Sequence, residues 1–335
     1  MDIQKTIAID YSWLGPTGIG RVADEVIARQ PPNWDINGIR ANRPNAGPFT
    51  ALDLTVRLQR LEADLFWSPG FIPPMFARGK RVVLTVHDLT HLHYYGRSRK
   101  LYYDLYIRPL LKRVDRIITV SEFTRSELIS WAGLDDEKVT MIYNGVGPAF
   151  SQAGPRTSVD RPFILYIGNR RSYKNVPMLM RAFALSGLIK LDFTLALTGA
   201  RSAEYNQLEA ELGIGLHVRY LGFVPEVELP MLYRSAHALA FISMYEGFGL
   251  PIVEAMASGT PVLTSNVSSM PEVAGSAAVV INPHDVHDIA DGLRTVALDE
   301  SSRKDLVKRG LARAQHFDWN VTGTKYWEVF NEVVR

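Results

Sequence analysis

Two glutamates eight positions apart, Glu246 and Glu254, bracket the stretch E-G-F-G-L-P-I-V-E. Ionised carboxylates accept hydrogen bonds and donate none, so such a pair suits hydroxyl-bearing ligands and cannot itself hold phosphate. Between them, Gly247 and Gly249 remove side-chain bulk and let a ligand approach the backbone amides. Pro251 suits the first turn of a helix, where its missing N–H costs nothing, and Gly259 suits the end of one. Loop amides and the positive end of that helix attract an anion. A diphosphate flanked by hydroxyl-bearing groups, as in a nucleotide sugar, would satisfy both halves.

Cations that could complete an anion clamp follow another apolar run. Y-I-G-N-R-R-S-Y-K-N places Asn169, Arg170, Arg171 and Lys174 just past it. Arginine suits bidentate phosphate contact and lysine supplies a compact charge, although a solvated cationic loop would read the same way. Near the start, Gly15, Gly18 and Gly20 are spaced G-x-x-G-x-G. The dinucleotide fingerprint is G-x-G-x-x-G, so a dehydrogenase is disfavoured. The glycines form either a flexible turn into a helix or a backbone nest for phosphate. In T-V-H-D-L-T-H-L-H, His87 ends an apolar run, and His91 and His93 follow. These last two are two apart, with no acidic or histidine partner at a ligand-like helical spacing, so no metal is assigned. His87 alone reads as a structural histidine or as a reacting group.

Such residues need a scaffold, and 335 residues suffice for two domains with separate cores. The 47% hydrophobic and 21% charged composition is that of a globular protein, and a net charge of +2 gives no reason to expect nucleic acid. With no cysteine there is neither disulfide framework nor thiolate chemistry. The start M-D-I-Q-K-T-I-A-I-D lacks the basic and apolar blocks of a signal peptide, and no uncharged run reaches the 18 or so residues of a membrane span. The expectation is a cytoplasmic location, with the inner face of the plasma membrane as the place of any membrane contact.

Short apolar runs recur at 6–10, 81–88, 116–121 and 139–146, then at 163–168, 193–199, 217–222, 238–243, 261–265 and 278–281, with helix-like stretches between them. Near-continuous rather than alternating apolar runs belong to strands covered on both faces. The fold class is therefore α/β, with two facing doubly wound Rossmann-like domains. The Gly-, Pro- and Ser-rich stretch 147–162 reads as the linker, giving domains at 1–150 and 151–315 and a C-terminal helix at 316–335. Ligands bind at the carboxyl ends of such strands, where all the residues above lie.

E-G-F-G-L-P-I-V-E-A-M-A-S-G-T-P-V resembles the E-x7-E motif of retaining glycosyltransferases of the GT-B fold, in particular glycosyltransferase family four. In the same order along about 300 residues come the glycine-rich first loop, T-V-H-D, I-I-T-V-S-E-F-T-R-S-E-L, V-T-M-I-Y-N-G-V, Y-I-G-N-R-R-S-Y-K-N, Y-L-G-F-V-P-E-V-E-L-P-M-L-Y-R-S-A and P-E-V-A-G. The set is specific, although each piece alone is weak. The resemblance implies that Glu246 binds hydroxyls of the transferred sugar and that Glu254 takes the ribose hydroxyls. The backbone of Gly247, Phe248 and Gly249 would lie near sugar and diphosphate, with Lys174 on the diphosphate. Leu250 counts with this donor-binding loop by position, while residues 250–253 read as packing. The family usually has an arginine directly after the strand-end glycine. Here Asn169 stands there, and Arg170 is the candidate to supply the charge. Phe223 and Val224 fall where the base is held, Gly18 and Gly20 would close over the phosphates, and His87 would sit against the donor sugar. The C-terminal helix would cross back to the first domain.

The implied activity is metal-independent, retaining transfer of a hexose to a glycan or a polyprenyl-diphosphate-linked glycan in cell-surface polysaccharide synthesis. No cofactor is implied beyond the nucleotide sugar as co-substrate. Y-K-N-V-P-M-L-M-R-A-F resembles bacterial mannosyltransferases, which points to GDP-mannose. Alternatives are a nucleotide-sugar epimerase on the same fold, which would need no acceptor, and a catalytically silent nucleotide-sugar binding protein. The stretch 97–113, R-S-R-K-L-Y-Y-D-L-Y-I-R-P-L-L-K-R, is either a soluble amphipathic helix or a surface for anionic membrane.

Overall fold

A computed structural model of the chain describes residues 4–41, 47, 49–157 and 160–335. The first three residues, part of the stretch read for a signal peptide, and residues 158–159 of the expected linker lie outside it. The chain divides into two compact units, Met1–Gly145 with Asp318–Arg335, and Val146–Phe317. Each is built on its own six-stranded sheet, in which every pairing is parallel.

The first sheet comprises β1 (Lys5–Asp10), β2 (Trp34–Ile39), β3 (Leu65–Ser68), β4 (Arg81–Val86), β5 (Arg116–Thr119) and β6 (Val139–Met141), in the order β2-β1-β3-β4-β5-β6. Of these, β2 and β3 carry no strand signal in the sequence. Strand β2, W-D-I-N-G-I, buries Trp34 and Ile39 at its ends and leaves Asp35, Gly38 and neighbours open, as an edge strand can. A Cβ on Gly38 would lie 2.3 Å from the Tyr11 ring, so a larger residue there would have to displace that side chain. Strand β3, L-F-W-S, is buried throughout but only four residues long, too short for a period to show.

The second sheet comprises β7 (Phe163–Tyr166), β8 (Thr194–Leu197), β9 (Val218–Tyr220), β10 (Ala238–Phe241), β11 (Val262–Ser265) and β12 (Val279–Ile281). Its order β12-β11-β10-β7-β8-β9 is the doubly wound nucleotide-binding order, in which the chain reverses direction between β7 and β10. The expected linker is not a free tether. The buried guanidinium of Arg234 donates to the carbonyls of Ala149 (3.2 Å), Ser151 (3.2 Å) and Pro155 (2.9 Å), and Phe150 packs edge-on against Tyr233. Polar composition hid this, because the anchoring bonds use backbone carbonyls that every sequence carries.

The helix Trp319–Val333 belongs to the first unit. Trp327 donates to the carbonyl of Val26 at 3.0 Å, and Trp34 and Lys5 share the Oδ1 of Asn331 at 3.2 and 3.1 Å. Tyr326 and Phe330 meet the fully buried Trp67 with ring centroids 5.7 and 5.3 Å apart. Each such aromatic buries about 150–250 Å² of surface, so this helix supplies a large share of the first core. The chain enters it past Gly145, where a Cβ would stand 2.3 Å from the backbone nitrogen of Trp319. No helix among the described residues is long and apolar enough to cross a membrane.

His91 and His93 have different neighbours. His93 pairs with Glu127. His91 is 6% exposed and lies flat on Phe71, centroids 4.6 Å apart at 4°, beside Tyr103 at 3.7 Å. Its Nε2 has no hydrogen-bond partner among the described residues. Burial pushes its pKa down from 6.5 to about 4, opposed by Asp88 and aided by His93.

Two predictions follow from this packing. The unfolded chain takes up a proton on His91 below about 6.5 while the folded protein does not until about 4, so unfolded chains bind more protons in that window. Stability is therefore lost as pH falls from 6.5 to 4, and His91→Phe should flatten that part of a denaturant-midpoint profile. Gly145→Ala should lower the thermal midpoint sharply, because backbone rather than a flexible side chain obstructs the new methyl.

Candidate active site

The reversal of chain direction between β7 and β10 decides which loops can meet. Both strands end on the same sheet edge, so the segments after them, 167–174 and 242–249, are neighbours. Lys174 closes the 3₁₀ turn Ser172–Lys174, and Asn175 follows in the left-handed region at φ 62°. The side-chain amide of Asn175 donates to the carbonyl of Pro283 at 2.7 Å, which fixes the turn. From β10 the chain runs into the second loop, where the amide of Met244 donates to the carbonyl of Tyr173 at 2.7 Å.

Lys174 Nζ donates to Glu246 Oε1 at 2.6 Å, with the two side chains 12% and 13% exposed. The ammonium also lies 5.2 Å from the centre of the Tyr173 ring and 5.5 Å from that of Phe241. An ammonium has three N–H donors and Glu246 Oε1 takes one, so the same lysine can serve a second anion. The Glu246 amide donates to Ser268 Oγ at 3.1 Å, and the one hydroxyl proton of Ser269 is shared between the carbonyls of Glu246 and Phe248, each 3.0 Å from Oγ. Phe248 is buried edge-on against Phe317, centroids 5.6 Å apart. Gly249 takes φ 101°, which favours glycine, and leads into the helix Leu250–Ala257 with Pro251 in its first turn. Leu250 is partly buried and opens that helix.

Glu254, on this helix, is only 3% exposed, and its Oε2 accepts from the Tyr233 hydroxyl at 2.8 Å. It is thus a buried, oriented carboxylate rather than one standing open at the loop.

Arg170, Arg171 and Lys174 do not form one cluster. Lys174 turns toward the β10 side, while Arg170 turns toward β8 and β9. Its guanidinium donates to the Ala200 carbonyl and lies between the rings of Tyr205 and Tyr220, 4.9 and 5.2 Å from their centres. Arg171 is exposed, and its amide donates to Asn169 Oδ1 at 3.2 Å. Asn169 is itself exposed. Phe223, 81% exposed, and the partly buried Val224 follow Gly222, which pairs with Gly199 beyond the ends of β9 and β8. All of these lie at the carboxyl edge of the second sheet.

In the first unit, Thr17 caps the helix Gly18–Ile27 by accepting from the Gly20 amide at 3.0 Å. A Cβ on Gly20 would meet the Gly15 carbonyl at 2.0 Å, so close packing accounts for this glycine and its amide is already used. Gly18 is exposed in the first turn. His87 is partly buried after β4, with Nε2 2.9 Å from the Pro69 carbonyl. A carbonyl only accepts, so Nε2 carries the proton, and burial pulls the pKa below 6.5 and keeps the ring neutral. The buried carboxylate of Asp10 ends β1, accepting from Ser68 Oγ at 3.2 Å and the Ser12 amide at 3.0 Å, and burial raises its pKa. Sequence reasoning singled out neither Asp10 nor the Ser268–Ser269 pair. The former is one acid at a strand end, and the latter touches its loop across a separation of 21 to 23 residues.

Two surface cavities lie away from these residues. One of about 550 Å³ is lined by Thr6, Asp64 and Lys80, and another of about 390 Å³ by Phe163, Thr194 and Leu216. Both lie by the amino ends of strands, opposite to the edge where parallel sheets bind ligands.

Residues 10–150 match the family model Glycosyltransferase Family 4, and residues 151–313 match Glycosyl transferases group 1. The chain is 33% identical over 271 residues to O-antigen chain mannosyltransferase B of Escherichia coli, covering 76% of this chain and 71% of that protein. It is 28% identical over 278 residues to the serotype-specific mannosyltransferase WbdA of Escherichia coli, of whose length it spans about a third (34%). Among solved structures, Anabaena HepE in complex with UDP and glucose superposes with a TM-score of 0.82 at 18% identity, over 98% of this chain and 100% of that one. Two parallel six-stranded Rossmann-like sheets place the fold in the GT-B class. The chain belongs to the glycosyltransferases of family 4, enzymes that transfer sugars.

Proposed function

We propose that the protein is a retaining, metal-independent hexosyltransferase that uses a nucleotide diphosphate sugar, with GDP-mannose as the favoured donor. The observation that carries this reading is the Lys174–Glu246 pair at the switch point of the second sheet. One site there offers a cation for the diphosphate and a carboxylate for sugar hydroxyls. The amides of Gly247 and Gly249 and the head of the helix Leu250–Ala257 add to the anion side. Glu254, oriented by Tyr233, is assigned to the ribose hydroxyls. The edge at Gly222, Phe223 and Val224 is assigned to the base. Arg170, held between two tyrosines, and exposed Asn169 are assigned to the nucleotide side of the site rather than to the Lys174 clamp. The mannose preference is supported by the likeness to the Escherichia coli mannosyltransferases.

In the reaction, the bond between sugar C1 and the diphosphate oxygen breaks as the acceptor hydroxyl oxygen bonds C1 on the same face. The acceptor proton passes to the departing phosphate oxygen. Lys174 and the loop amides stabilise the negative charge on the leaving group, work that a divalent cation performs elsewhere. In the first unit, neutral His87 is assigned to hydrogen bonding rather than to charge stabilisation. Gly18, exposed in the first turn of its helix, is assigned to phosphate contact.

The acceptor is proposed to be a glycan, free or carried on a polyprenyl diphosphate, and the segment 97–113 to rest on anionic membrane. The support is a surface that exposes Leu101 (57%) and Leu105 (70%) beside the exposed Arg97, Arg99 and Lys100.

Glu246→Ala should reduce turnover by about 10²-fold or more. Lys174→Ala should raise the donor concentration needed for half-maximal rate. Thermal-shift and hydrolysis screens over a panel of nucleotide sugars test the donor, and wild-type kinetics in either variant would remove its assigned role. Full activity in excess chelator is expected, and proton NMR of the product should show the anomeric configuration of the donor preserved. Flotation with liposomes should depend on acidic lipid.

A further inference from the structure

The loop that carries Glu246 is held from behind by two serines on the segment after β11. Ser269 precedes the five-residue helix Met270–Ala274, and a serine there ordinarily accepts an amide of its own helix. Here the side chain makes no capping bond. The fully buried hydroxyl instead reaches across to the carbonyls of Glu246 and Phe248. Ser268 takes φ 53°, a region that a non-glycine residue rarely occupies, and its Oγ accepts the Glu246 amide. A serine held in an unfavourable backbone region, next to one diverted from its own helix, suggests that both hydroxyls serve the neighbouring loop.

The peptide geometry states what that service is. In a planar trans peptide the N–H lies opposite the carbonyl. Drawing the Glu246 and Phe248 carbonyls onto Ser269 therefore directs the N–H groups of Gly247 and Gly249 away from it. Fixing the Glu246 amide on Ser268 sets the direction from which the carboxylate departs toward Lys174. We propose that Ser268 and Ser269 are positioning residues for sugar transfer, holding the Gly247 and Gly249 amides and the Glu246 carboxylate in the geometry that the reacting donor requires. This rests on the assignment of Glu246 and its loop to the donor.

The test compares wild type, Ser268→Gly, Ser269→Ala, Ser269→Thr and Glu246→Ala in steady-state turnover of GDP-mannose or whichever panel sugar is turned over, with thermal midpoints alongside. Glycine adopts φ 53° without strain, so Ser268→Gly should keep or raise the midpoint while kcat falls about tenfold, since small misplacements cost rate. The KM for donor should change less than threefold, because the loss is of transition-state geometry. Ser269→Ala should show the same split and Ser269→Thr, which retains the hydroxyl, should recover rate. Where Ser269→Ala lowers the midpoint, Ser268→Gly alone decides. A kcat within twofold of wild type in Ser268→Gly, with Glu246→Ala inactive, overturns the inference and leaves the proposed function standing. A fall in kcat that only tracks lost stability in both serine variants also overturns it. Turnover retained in Glu246→Ala sinks both.

Discussion

An ammonium and a carboxylate 2.6 Å apart, each about seven-eighths removed from water, tie together two loops of the second unit. Either charge left alone in that position would be costly, so the loops carrying Lys174 and Glu246 are obliged to stay together. The bond from Met244 to Tyr173 repeats the link at the level of the backbone. The pair spans two loops that are 72 residues apart in sequence and adjacent only because the sheet reverses its winding between β7 and β10. The arrangement of the site is thus a property of strand order before it is a property of any side chain.

Strand order also explains why three cations in one short segment have different neighbours. Strand β7 has β10 on one flank and β8 on the other. Lys174, after the turn, falls to the β10 flank, and Arg170, directly beyond the strand, falls to the β8 flank between Tyr205 and Tyr220. Glu209 extends this second cluster by accepting from Tyr220 and pairing with Arg201. Guanidinium stacking on aromatic rings fixes its plane, so Arg170 is a rigid donor where a lysine would have swung freely.

The sequence made much of this legible because buried parallel strands are nearly continuous apolar runs and the candidate residues follow directly after them. The strands from β7 to β12 could be read in this way, and with them the positions of Lys174, Glu246 and Gly249. Strand β2 could not, because an edge strand alternates with polar residues, and β3 is too brief. In the sequence Gly20 fits a flexible turn or a phosphate nest, and the structure adds crowding against Gly15. Each of these demands glycine, and only coordinates show the crowding. Glu254 could be placed on its helix from Pro251 and Gly259, but not its burial against Tyr233, which depends on packing between two helices. The two serines after β11 were invisible for a similar reason: serine before a short helix reads as a local cap.

The route of the main chain has a practical consequence. The second unit is one uninterrupted segment, closed by a bond from the Val146 amide to the Phe317 carbonyl at 3.0 Å. The first unit is discontinuous and takes Tyr326, Trp327 and Phe330 from the far end of the chain. During synthesis the faces of Trp34 and Trp67 stay uncovered until the helix Trp319–Val333 has emerged. The continuous second unit, which lies between the two pieces of the first, can therefore be complete before the sheet that precedes it in sequence.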